Sequence, residues 1–101
     1  MTKYVYIIGS ESGPIKIGIS DKPEKRVKQL QTGNPNKLSL IHTEEIEDNL
    51  AESIELEIHK NLKLKKTVGE WFNISITEAK LEIDFAIIKN IERLKNVRNR
   101  F

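Results

Sequence analysis

"VYIIGSESGPIKIGIS", residues 5–20, decides the fold. Two apolar runs flank a polar break containing Gly13 and Pro14, the pattern of two strands joined by a hairpin loop. Strict alternation in the second run sends Ile15, Ile17 and Ile19 to one face and Lys16, Gly18 and Ser20 to the other. In the first run Tyr4 and Tyr6 share a face, opposite Val5 and Ile7. An in-register hairpin sets Tyr6 and Lys16 on the same side of the sheet, which then carries a polar site.

Outward from the hairpin, residues 3–9 and 15–20 read as strands. Ser20 and Asp21 can cap a short helix through "EKRVKQLQTG", with Pro23 in its first turn, Val27 and Leu30 buried, and Gly33 and Pro35 ending it. "KLSLIHTEEI" reads as a third strand. Asp48 then opens a helix with Leu50, Ile54, Ile58 and Leu62 in one stripe, and Glu55 and His59 stand one turn apart on its flank. Lys65, Lys66 and Gly69 break it, and "GEWFNIS" is a short extended piece. Ser75 to Glu78 has capping-box spacing for a last long helix. There Leu81, Phe85 and Ile88 form a stripe with Ile83, Ile87, Ile91 and Leu94 beside it. So broad an apolar face predicts either closure of the core across the second helix or a homodimer seam. The order strand, strand, helix, strand, helix, helix predicts an α+β domain with a small three-stranded antiparallel sheet flanked by helices.

Composition sets the outer limits. A chain of 101 residues fits one domain, and 38% hydrophobic with 32% charged residues fits a compact fold with a charged surface. No apolar run has the length of a membrane span, and "MTKYVY" lacks a basic-then-apolar leader, so the expectation is a cytoplasmic protein without a membrane partner. The absence of cysteine rules out disulfides and thiolate zinc sites. Charge is segregated: residues 1–37 hold seven basic and three acidic side chains, whereas residues 44–57 hold seven acidic and no basic ones. The C-terminal residues 89–101 are again basic, with Lys89, Arg93, Lys95, Arg98 and Arg100 against Glu92. That pattern suits a polyanion contacted by the two ends.

The hairpin, the arginine after it and the later glutamate resemble the GIY-YIG nuclease superfamily over about residues 4–75, and residues 76–101 lie outside the resemblance. "YVY" stands in place of the first triplet, with Tyr6 as its tyrosine. "KIG" stands in place of the second, with Lys16 where that triplet has tyrosine. Arg26 falls at the family's helix arginine and Glu55 at its metal-binding glutamate. "KIGIS", "KRVKQLQTGNP", glutamate followed four residues later by histidine, and "GEWF" look like the branch common in phages and their hosts.

The resemblance implies a metal-dependent endonuclease acting on DNA, or on RNA, in a bacterial cell or phage-infected host. It implies one divalent cation, Mg2+ or Mn2+, held by Glu55. Tyr6 takes a proton from the attacking water, directly or by relay, and Arg26 neutralises the phosphorane. A free tyrosine has a pKa of roughly 10, so a useful base near neutral pH needs help, and an ammonium at Lys16 can supply it. His59 is a partner of the scissile phosphate or a supporting group. Lys16, Lys22, Lys25, Arg26, Lys28 and Asn73 are the expected nucleic-acid contacts. Glu52 competes with Glu55 for the metal role, Trp71 and Phe72 read as core anchors, and His42 as a bystander. The rival expectation is a catalytically inactive nucleic-acid or protein-binding module that keeps the fold.

Overall fold

β1 (Thr2–Gly9) and β2 (Ile15–Ser20) form the expected antiparallel hairpin in the computed structural model, which describes residues 2–99 with side chains to residue 97. Arg100 and the side chain of Arg98, both counted in the basic C-terminal segment, lie outside the described residues. The register pairs Tyr6 with Gly18 and Ile8 with Lys16, so Tyr6, Lys16 and Gly18 share a face. β3 (Ser39–Glu47) pairs with the other side of β1, with a bulge between Ile7 and Ile8.

The extended piece at Trp71 joins this sheet. β4 (Trp71–Phe72) pairs antiparallel with Ile15 and Lys16, so the sheet has four strands in the order β3-β1-β2-β4 and not the three expected. Two residues show no measurable alternation, which is why the sequence presents β4 only as an extended stretch.

Local signals place the helices. α1 (Pro23–Gln31) starts where the Lys22 amide donates to Ser20 Oγ (3.0 Å) and Pro23 occupies the first turn. Its last residue organises the next loop: Gln31 Nε2 donates to the Asn34 and Asn36 carbonyls, and Gln31 Oε1 accepts from the Leu38 amide (2.8 Å). α2 (Asp48–Asn61) is followed by a single 3-10 turn, Lys63–Lys65. α3 (Ile76–Asn99) is capped by Ser75, whose Oγ accepts from the Glu78 amide (3.1 Å).

Both faces of the sheet are covered. Val5, Ile7, Ile15 and Ile17 pack beneath α2 and α3 with Ile54, Ile58, Phe72 and Ile83 in the main core. On the opposite face Tyr6, Ile8 and Leu38 meet Val27 and Leu30 of α1, with Leu40 and Trp71 at the margin. Apolar area removed from water on both sides, at about 25 cal/mol per Å², holds the layers together.

α3 turns a different stripe inward from the one its bulky residues suggest. Ala79, Ile83, Ala86 and Asn90 are buried, whereas Leu81, Phe85 and Ile88 are exposed, each by more than half. Polar pairing sets this rotation. Glu57 of α2, buried, is bonded to Lys89 (2.9 Å) and lies 3.3 Å from Arg93, and Asn61 donates to Glu82 (2.6 Å). A buried carboxylate left unpaired is costly, so the phase that supplies its cations wins over the one that hides most apolar area. No helix among the described residues is long and apolar enough to cross a membrane.

Candidate active site

β4 covers only Ile15 and Lys16, which leaves the outer edge of β2 open from Ile17 onward. α2 passes along that edge. His59 Nε2 lies 2.9 Å from the Ile17 carbonyl oxygen, and the Ile19 backbone amide favours the Glu55 carboxylate by hydrogen bonding. Two side chains one helical turn apart thus satisfy backbone groups that a further strand would otherwise engage. A carbonyl only accepts, so Nε2 of His59 carries a proton and donates it to Ile17. The ring stands edge-on to Phe72 at 5.0 Å.

Tyr6 lies across β2 directly over Gly18. A Cβ built at position 18 would stand 2.5 Å from the phenol oxygen, so only glycine leaves room for the ring. The phenol is buried, and burial is the main cause that raises its pKa above the ordinary 10.0, with the charges of Glu70 and Glu55 adding to it. The Arg26 guanidinium opposes the rise by hydrogen bonding and by charge. Tyr6 is therefore a neutral phenol at neutral pH. The leading cation that favours the phenolate is Arg26, whereas Lys16, expected in that role, is paired with Glu70.

Lys16 is committed elsewhere. Its Nζ donates to Glu70 Oε2 at 2.9 Å and stands 6.0 Å over the Trp71 ring, with 7% of the side chain exposed. The hydrogen bond from Lys16 is the main reason the Glu70 carboxyl sits below the ordinary glutamate range. Glu55 moves the other way. Partial burial raises its pKa above 4.5, the charge of Glu70 adds to this, and His59, the Ile19 amide and Lys16 oppose it.

The structure thus brings Tyr6, Lys16, Arg26, Glu55 and His59 to one neighbourhood from β1, β2, α1 and α2. Glu55 is half-buried and faces it, whereas Glu52 is exposed. Arg26 also reaches Gln29 Oε1 (3.3 Å) and lines a polar depression of about 270 Å³ with Ser20, Asp21, Lys22, Lys25 and Gln29. Lys28, two residues beyond Arg26, falls on the opposite side of α1 and does not line it. Asn73 follows β4, exposed, with its backbone amide donating to the Lys65 carbonyl (2.8 Å). His42 lies on β3 beside Glu44 (3.3 Å), with β1 between it and β2.

Glu70 is the site residue that sequence reasoning missed. It stands within "GEWF", a stretch noticed but given no chemical role. The signal was its place immediately before Trp71, which becomes informative only once Trp71 is known to pair with Lys16.

Among the described residues no three His, Cys, Asp or Glu side chains cluster as a cation cage. The carboxylates present are Glu55 and Glu70, the latter paired with Lys16, and carboxylate oxygen is the donor type that a hard divalent ion takes.

No curated protein and no solved structure matches the chain significantly. Residues 3–96 match the T5orf172 domain, a phage-associated domain found in nuclease-type contexts, and the match takes in α3 as far as residue 96. With nearly its whole length inside that match, the chain belongs to the T5orf172 domain family.

Proposed function

We propose that this protein is a divalent-metal-dependent endonuclease of GIY-YIG type that hydrolyses phosphodiester bonds in DNA. The observation that carries this reading is the meeting of Tyr6, Arg26 and Glu55, from three different elements, at the open edge of β2. Hydrolysis needs a group to take a proton from water, a cation at the phosphorane, and support for the leaving oxygen.

Glu55 is the residue to hold Mg2+ or Mn2+, which when bound supplies charge stabilisation and an acidified water. Arg26 presents a planar fork to the non-bridging phosphate oxygens. Tyr6 accepts the proton through its minor phenolate form, a population that Arg26 raises and burial lowers. His59, anchored through Nε2 to the Ile17 carbonyl, has Nδ1 left as a hydrogen-bonding position toward substrate. Lys22 and Lys25, beside Arg26, steer the backbone of the nucleic acid.

Incubating the protein with labelled single- and double-stranded DNA and RNA, with manganese, magnesium or EDTA, tests the proposal. Metal-dependent cleavage of DNA supports it. The paired state of Lys16 and the neutral state of Tyr6 favour a second reading, a module that binds nucleic acid without cutting it. Binding without cleavage under every metal condition would establish that alternative.

A further inference from the structure

Among the described hydrogen bonds and ion pairs, Lys16 has one side-chain partner, the Glu70 carboxylate at 2.9 Å. The two members of the pair are unequally buried: the lysine side chain is 7% exposed and the glutamate side chain 45%. An ammonium so placed requires a counter-ion, but that counter-ion need not be Glu70. Glu70 follows Gly69, which has a φ of +60°, in a loop whose residues Lys66 to Gly69 are all exposed. Arg26 and His59 also act on the Glu70 carboxylate, both favouring its ionised form. Arg26 itself has no carboxylate ion pair among the described residues. The Glu70 carboxylate thus pairs with Lys16 and is favoured by Arg26 and His59 as well, as a phosphodiester in this site would be.

We infer that the Glu70 carboxylate occupies the place of a substrate phosphate in the free protein, and that a phosphodiester binds by displacing it from Lys16. This rests on the reading of the site as one that handles nucleic-acid phosphates. In the free state Glu70 keeps a buried ammonium paired; on exchange the phosphate inherits Lys16, one negative charge replacing another. Lys16 is then a phosphate ligand only in the complex, which explains why it is covered in the free chain.

The test measures binding of a short fluorescent single-stranded DNA to the full chain in EDTA, so that no cleavage intervenes. Glu70→Gln should bind about tenfold more tightly than wild type, since it keeps the shape of the side chain and removes the competing charge. Glu52→Gln, the same charge change at an exposed position one turn from Glu55, should shift affinity less than about threefold. In a Lys16→Met background the gain from Glu70→Gln should vanish, as a double-mutant cycle requires of a coupled pair. A gain no larger than that of Glu52→Gln, or one that persists without Lys16, overturns the inference. Should Glu70→Gln fail to fold, the carbon resonance of the Glu70 carboxyl in the wild-type chain decides. It must move toward that of a free carboxylate as the oligonucleotide is added, and an unmoved resonance at saturation overturns the inference. A protein that cleaves DNA yet shows no Glu70 effect retains the nuclease reading and loses only this one; a protein that neither binds nor cleaves loses both.

Discussion

The Tyr6 ring rests on Gly18 of the neighbouring strand so closely that a single added carbon would stand 2.5 Å from its hydroxyl. Gly18→Ala must therefore displace the phenol from Arg26 and Glu55. The expected cost is about 1–3 kcal/mol of stability from overpacking, and about 100-fold in cleavage rate from misplacing a reacting group. Gly13→Ala is the control. Nothing lies within 4 Å of the added carbon there, and the φ of +94° makes the change a matter of loop strain alone. Its cleavage rate per folded molecule should match wild type, as read by denaturant melts alongside single-turnover kinetics.

Arg26 favours the Tyr6 phenolate both by hydrogen bonding and by charge, so its loss acts twice. Arg26→Ala should cost about 3 kcal/mol of transition-state stabilisation, with substrate affinity falling far less. Because the Tyr6 pKa lies above 10.0, the wild-type rate should climb about tenfold per pH unit through the neutral range. Tyr6→Phe should flatten that slope. A pH profile of single-turnover cleavage, level between pH 7 and 9 in the wild type, would remove Tyr6 as the base.

Glu55 and Glu57 make opposite contributions to stability against pH. The folded pKa of Glu55 lies above 4.5, mainly through burial, so the folded chain binds the extra proton and stability falls as pH rises from 4.5 through that folded value. The folded pKa of Glu57 lies below 4.5, chiefly through its hydrogen bond from Lys89, so its contribution is present above 4.5 and is lost as pH falls through the lower folded value. Glu55→Gln should accordingly raise the melting temperature at pH 7, and Glu57→Gln should lower it and reduce acid sensitivity. Thermal melts from pH 3 to 7 check both signs.

The hairpin, three helices and the third strand were legible because each repeats a period several times, and because Pro23, Gly33 and Ser75 punctuate them. β4 was too short to show a period, and the Lys16–Glu70 pair was hidden with it. Which of the two apolar stripes of α3 turns inward was not legible, for a different reason. Leu81, Phe85 and Ile88 outweigh Ala79 and Ala86 in apolar area, but the buried Glu57 needs Lys89 and Arg93, and this contact between two helices has no signature within either one. Tyr6 and Lys16 sharing a face followed directly from alternation, whereas which cation serves the phenol depended on where Arg26 and Glu70 stand.

The outward stripe of α3 separates core from association surface. Ile83→Ala should destabilise the fold by about 2–5 kcal/mol, because Ile83 is fully buried. Phe85→Lys with Ile88→Lys should leave the fold intact, since both side chains are exposed by more than half. A homodimer through this face, one of the two expectations for α3, predicts wild-type sedimentation that rises with concentration and a monomeric double variant. Wild-type chain that sediments as a monomer at high concentration removes the dimer from the account.

Glu55→Gln offers the most direct test of the central claim, because the substitution should stabilise the fold at neutral pH and lost activity then has no structural excuse. Single-turnover cleavage of labelled DNA is to be measured with manganese for wild type and variant, both shown folded by thermal melt. The wild type should cleave in a metal-dependent way and the variant should lose at least about 100-fold, with EDTA abolishing what remains. Cleavage by Glu55→Gln at the wild-type rate, or wild-type cleavage that survives EDTA, would contradict it.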